Sequence, residues 1–142
     1  MITLPIERIA ENLKKHEGFR SYCYRCPSLA WSIGYGRNID KDRGGLGITE
    51  QEADYLLRND IDRCVVELRS HFKWFDESPV HIQGSLIELC FWLGLTRLRK
   101  FKRMLSALAK QNYEQASDEL VDSLLFRQIP GRTQIIADRI SG

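Results

Sequence analysis

The chain is short of several things, and each shortage removes a class of protein. No apolar run in its 142 residues approaches the roughly 20 needed to span a bilayer. The first stretch, MITLPIERIAENLKKHEG, has no continuous apolar segment and carries Glu7 and Glu11, so it does not read as a signal peptide. Stable membrane insertion is therefore not expected, and the expected location is the cytoplasm of the cell that makes the chain. The net charge of +2 is too small to call for a polyanionic partner. There is no internal repeat, low-complexity stretch or long linker, and 43% hydrophobic with 28% charged residues fits an ordinary globular chain. At this length a single domain with its own core is expected.

Cysteines are few: Cys23, Cys26, Cys64 and Cys90. The first two form a C-x-x-C, but a structural zinc site needs a second close pair of ligands. Cys64 and Cys90 lie far apart in apolar helical contexts, and no histidine is next to a cysteine. No metal site is expected, and in a reducing cytosol all four read as thiols. A redox link between Cys23 and Cys26 would need two side chains on opposite faces of one strand to meet.

What is present is a helical pattern interrupted once. Thr3 can cap a first helix with Pro5 near its first turn, Ile6, Ile9, Ala10 and Leu13 on one face, and an end near His16-Glu17 where Gly18 supplies the left-handed cap. Residues 21–36, rich in Tyr, Trp and Ile, predict two short strands joined near Pro27-Ser28. Gly44, Gly45 and Gly47 mark a loop or further hairpin turn. Thr49-Glu50-Gln51-Glu52 reads as a capping box opening a long helix, with Ala53, Leu56, Leu57, Ile61, Cys64, Val65 and Leu68 facing inward. Helices are predicted over about 80–93, 97–110 and 113–124, and after Pro130. The fold class is α+β and mostly helical: a small N-terminal sheet lobe, a long bridging helix and a helical C-terminal lobe.

Glu17-Gly-Phe-Arg, the run to Trp31-Ser-Ile-Gly-Tyr-Gly36, and the spacing Glu17–Cys26–Ser32 carry a resemblance. The acid, eight residues, an Asp or less often a Cys, five residues and a Thr form the motif of the T-even phage lysozyme family, glycoside hydrolase family 24. The stretch from Ile48 to Asp60 resembles that family's bridging helix, Phe91-Trp-Leu-Gly94 its F-N-L-G or F-Q-M-G segment, and Pro130-Gly-Arg132 its Pro-x-Arg. Four such motifs in order are far more specific than one. The resemblance implies one lysozyme-like domain over 1–142, with lobes of about 15–50 and of 1–14 plus 70–142 joined by a helix of about 50–70. It implies a peptidoglycan hydrolase, a muramidase cutting the β-1,4 bond between N-acetylmuramic acid and N-acetylglucosamine, with no metal or organic cofactor. The natural setting would be a monomeric phage or prophage endolysin that lyses the host after holin-dependent release.

Glycoside hydrolysis needs a proton donor for the leaving oxygen and a group that handles water on the other face. Glu17 sits at a predicted helix C-terminus, where the dipole disfavours a negative charge and so favours a proton donor. The resemblance implies that Arg132 pairs with Glu17 and holds it. Cys26 takes the place of the usual Asp; an ordinary thiol is only a few per cent ionised at neutral pH. Either Cys26 becomes a thiolate, or it stays neutral and positions a water by weak hydrogen bonds. Arg25 is its neighbour in sequence, but strand alternation sends the two side chains to opposite faces. Ser32 keeps the hydroxyl of the family's Thr and loses the β-branch that fixes its rotamer.

Trp92 replaces the family's Asn or Gln, and is either a sugar-facing platform or a core aromatic. Tyr35 and Gly34 belong to the same G-Y-G segment, where Gly34 and Gly36 allow close backbone approach. Arg37 and Asp60 are expected, by the resemblance, to form an ion pair tying sheet to helix. Residues 97–113 hold six basic residues and no acid, five of them within seven positions. Aromatics are sparse there and no nucleic-acid motif surrounds the cluster, so nucleic acid is not an expected partner. The cluster is either a solvated helix face or a means of concentrating the protein on an anionic envelope. A catalytically weak or inactive lysozyme-shaped binding or virion module is the rival to the enzyme.

Overall fold

The computed structural model describes residues 5–142; the Thr3 cap predicted for the first helix lies outside them. Two compact units divide the chain, Met1–Asp54 and Tyr55–Gly142.

The first unit opens with α1, Ile6–Glu17, which ends at Gly18 with φ +71°. Its apolar residues share a face as expected, but none is buried: Ile6, Ile9 and Leu13 are all exposed. Then comes an antiparallel meander of β1, Arg20–Arg25, β2, Trp31–Gly34, and β3, Arg37–Asn38. Tyr24 faces Ser32 and Arg25 faces Trp31, with an irregularity between Arg20 and Tyr24; on the other side Ser32 faces Asn38. The β1–β2 turn is the predicted one. The Leu29 N–H donates to the Cys26 carbonyl at 2.8 Å and the Cys26 N–H to the Ala30 carbonyl at 2.9 Å, closing a three-residue loop with Leu29 at φ +67°. A leucine there accepts a conformation that glycine adopts without strain.

The glycine-rich segment is a tight turn built on Asp40. Its carboxylate accepts from the Asp42 and Trp31 N–H groups at 3.1 and 3.2 Å, and a Cβ on Gly45 would stand 2.4 Å from the Asp40 nitrogen. The capping box forms as predicted: the Glu52 N–H donates to Thr49 Oγ1 at 3.1 Å, and the Thr49 N–H to Glu52 Oε1 at 2.9 Å.

That box opens α2, Glu50–His71, whose later turns belong to the second unit. Of the seven residues expected to face inward, only Cys64 and Leu68 are buried and Val65 is half-buried; Leu56, Leu57 and Ile61 are exposed. A helix of 22 residues is about 33 Å long, and only its second half lies on the core. The core is built around α3, Val80–Leu93, which buries Ile82, Leu86, Leu89, Cys90 and Leu93. The predicted helix over 97–110 is divided into α4, Leu95–Leu98, and α5, Lys102–Ala109, so that Leu98 and then Met104 and Leu108 all reach the core. The segment expected over 113–124 stops earlier, as α6, Tyr113–Val121. Ser123 starts α7, Leu124–Gln128, its hydroxyl accepting from the Phe126 N–H at 3.2 Å. Finally α8, Pro130–Ser141, begins with proline in its first turn as expected and packs on α6, α3 and α7. Buried hydroxyls find backbone acceptors: Ser117 donates to the Ala137 carbonyl and Thr133 to that of Ile129.

Candidate active site

The residues singled out in the first unit fall into two contact groups on one small sheet. In the first, Glu17 ends α1 and its carboxylate lies against the G-Y-G turn. A Cβ on Gly36 would stand 2.8 Å from Glu17 Oε2, inside any tolerable contact, and Gly36 itself has φ +80°. Glycine is required there on both counts. Gly34 was expected to serve the same close approach, but a Cβ on it would meet nothing within 4 Å. Its φ of +70° is what calls for glycine. Tyr35 between them is exposed, with its ring 5.7 Å from Phe19 and also 5.7 Å from Lys14 Nζ.

The second group is the hairpin loop. Cys26 is half-exposed at the end of β1, its Sγ 2.9 Å from Ser28 Oγ. Ser32, almost fully buried on β2, has its hydroxyl close enough to the thiol to favour the ionised form. These contacts bring the thiol down from 9.0 to about 7. The Ser28 hydroxyl acts most strongly, partial desolvation opposes it, and the Ser32 hydroxyl and the Ser28 and Ala30 backbone add to it. Hydroxyl and N–H donors stabilise the sulfur's anionic form, so the thiol ionises more readily than an ordinary cysteine. Arg25 gives no such help, in keeping with strand alternation. The guanidinium is engaged elsewhere, donating to the Leu29 carbonyl at 2.8 Å and lying 4.3 Å from the Trp31 ring centre.

Ser28 is therefore the residue that sequence reasoning missed. The available signal was its place two residues after Cys26 in a proline turn, where a short hydroxyl side chain folds back on the residue that starts the turn. Cys23 is an exposed free thiol on β1, and Cys26 is free as well.

Arg37, at the start of β3, places Nη1 2.7 Å from Glu52 Oε1 and 3.1 Å from the Gly47 carbonyl. The sheet is thus tied to the first turn of α2, as was expected of Arg37, through Glu52. Asp60, the acid expected for that task, has its carboxylate 3.6 Å from Arg63. In the second unit Trp92 is half-buried against the core, and the Arg132 guanidinium lies 4.0 Å from its ring centre. Part of Trp92 packs inward, as the core reading has it, and its ring face is taken by the Arg132 cation.

The match to known proteins covers most of this arrangement. The model of the phage lysozyme family fits residues 14–133, from the last turn of α1 into α8. This chain belongs to the phage lysozyme family. An endolysin of Acyrthosiphon pisum secondary endosymbiont phage 1 is similar to it, with 28% identity over 111 residues, 77% of this chain and 72% of that protein. The matched span includes Glu17, Cys26 and Ser32.

Proposed function

We propose that this phage lysozyme family member is an endolysin-type peptidoglycan hydrolase that cuts the β-1,4 bond between N-acetylmuramic acid and N-acetylglucosamine with inversion. Glu17 donates its proton to the leaving glycosidic oxygen as the bond to the anomeric carbon breaks. A water held by Cys26 and Ser32 attacks that carbon from the opposite face, and the Cys26 thiolate takes the water's proton. The cycle closes when Glu17 regains a proton and Cys26 loses one to solvent. Arg132, on the Trp92 ring, and Tyr35 serve the substrate or the acid rather than the bond-breaking step. The chain acts as a monomer, is released to the wall with the help of a holin, and then lyses the host.

The observation that carries this reading is the condition of Cys26. A cysteine in place of the usual aspartate serves as a base only when it ionises near neutral pH, and Ser28 and Ser32 hold this one at about 7. The test is loss of turbidity by outer-membrane-permeabilised bacteria with wild type, Glu17→Gln and Cys26→Ala, each first shown to be folded. Clearing by wild type alone, together with release of the inverted anomer, supports the reading. Wild type that pellets with cell walls yet clears nothing would make this a binding module instead. Full activity after confirmed alkylation of Cys26 would remove the cysteine from the mechanism.

A further inference from the structure

The basic cluster singled out in the sequence has no task in the proposed reaction, and the structure gives it a shape. Arg97, Lys100, Lys102 and Arg103 line one side of a cavity of about 520 Å³ in the second unit. None of its lining residues belongs to the candidate active site. Elsewhere in the chain arginines find acids: Arg37 meets Glu52, Arg63 meets Glu67, Arg69 meets Asp76 and Arg139 meets Glu88. Among the described residues, none of the four cations in the cavity has an ion-pair partner, nor do Arg99 and Lys110 near them. A second hollow, of about 380 Å³, continues the basic surface past Lys102 and Arg103 to Lys110.

The rest of the lining narrows the ligand. Phe101 and Leu124 line the same cavity, and Leu124 is 63% exposed, although it opens a helix whose next residue is buried. Unpaired cations beside an exposed leucine suit a ligand that is anionic at one end and apolar at the other. A single-stranded nucleic acid would ask for aromatic faces on which to stack bases, and Phe101 is the lone aromatic in the lining. A hydrophilic phosphate polymer would leave Leu124 without a use. Glu119 and Asp122 also line the cavity and would repel a phosphate, which places the anionic group on the side of α4 and α5.

We propose that this surface docks the protein reversibly onto anionic phospholipid, with headgroup phosphates on Lys100, Lys102 and Arg103 and Leu124 reaching the acyl boundary. Such docking lies on a bilayer without spanning it. It agrees with the finding that no helix among the described residues is long and apolar enough to cross a membrane. The proposal does not depend on the hydrolytic reading, because the binding can be measured with no cell wall present.

The experiment is co-sedimentation of the full chain with vesicles of phosphatidylglycerol and phosphatidylcholine, against vesicles of phosphatidylcholine alone. The mixed vesicles are expected to carry the protein down. Salt toward 1 M, where the screening length falls to about 3 Å, should release it. Lys100→Ala/Lys102→Ala/Arg103→Ala should lower partitioning by about a hundredfold, taking roughly a fivefold loss per basic residue. Leu124→Ser should lower it with the salt dependence unchanged. All four side chains are exposed, so the variants should keep the wild-type unfolding temperature, and this is checked alongside. Equal sedimentation with uncharged vesicles, or a triple variant that binds like wild type, would overturn the proposal. So would a duplex oligonucleotide that binds as tightly and is lost in the same variants, which would reassign the surface to nucleic acid.

Discussion

Two thiols show how differently the two units are made. Cys26, in the hairpin of the first unit, is half-exposed, surrounded by hydroxyl and N–H donors, and drawn down to about 7. Cys90, on α3 of the second unit, is buried and pushed up to about 12, first by desolvation and then by its neighbours Cys64 and Glu67. The same side chain is an easily ionised thiol in one setting and a small hydrophobe in the other. The contrast extends to the units themselves. Among the described side chains of the first unit only Ala30 and Ser32 are buried, while the second holds the whole cluster from Cys64 to Ile140. Polar contacts, turns and obligatory glycines shape the first; apolar packing shapes the second. Residues placed by directed hydrogen bonds can be held at defined positions near solvent, which is where a water-using reaction needs them.

The largest effect should come from Glu17→Gln. Loss of a general acid is expected to lower turnover about 10²–10⁴-fold with little change in the unfolding temperature, read by turbidity loss and by calorimetry. The converse holds for Leu86→Ala in the second unit. Removing a fully buried leucine should cost about 2–5 kcal/mol in urea unfolding. In protein that is still folded, the rate of Cys26 alkylation should not change. An equal effect of both substitutions on both readouts would erase the distinction between the units.

Gly36→Ala is expected to combine strain with displacement. A non-glycine residue at φ +80° costs on the order of 1–2 kcal/mol, and the new Cβ must push the Glu17 carboxylate aside. Activity should therefore fall further than stability. Gly34→Ala, strained to a similar degree but with open space around it, should retain the greater share of activity. The smallest effect belongs to Ser28→Ala. Cys26 alkylation in wild type should have its pH midpoint near 7. Removing the hydroxyl raises that midpoint, so the rate at pH 7 should drop by less than about tenfold and recover at higher pH. An unmoved midpoint would take Ser28 out of the account.

Local signals were the legible ones. Gly18, the Pro27 turn, the Thr49–Glu52 box and Pro130 each specify a backbone event within four residues, and all four stand where they were read. The spacing of Glu17, Cys26 and Ser32 had meaning only through the resemblance, and in the fold Glu17 lies against Gly36 while Cys26 lies against Ser28. The sequence could not show how far a helix outruns the core it packs on, and so Leu56, Leu57 and Ile61 of α2 were expected inside. It also could not decide between equivalent partners. Arg37 had several acids on α2 to choose from, and Cys26 had Arg25 beside it in sequence but Ser28 beside it in space. Periodicity alone did not divide 97–110, because both halves carry apolar residues at helical spacing and only the turn of the chain around Leu98 separates them.

Glu52 Oε1 is a single atom with two duties, accepting from the Thr49 N–H at the start of α2 and from Arg37 on β3. Shared acceptors make segments open together. In native-state hydrogen exchange, the amides of the first turn of α2 and those of β3 should therefore report one common opening event instead of two. The same atom makes this junction sensitive to acid. The Thr49 backbone N–H, with the Thr49 hydroxyl and Arg37, holds the Glu52 carboxyl below its ordinary 4.5. Its contribution is therefore complete above that value and fades as pH falls through the lowered one. On acidification, strand and helix start should become exchangeable in the same step.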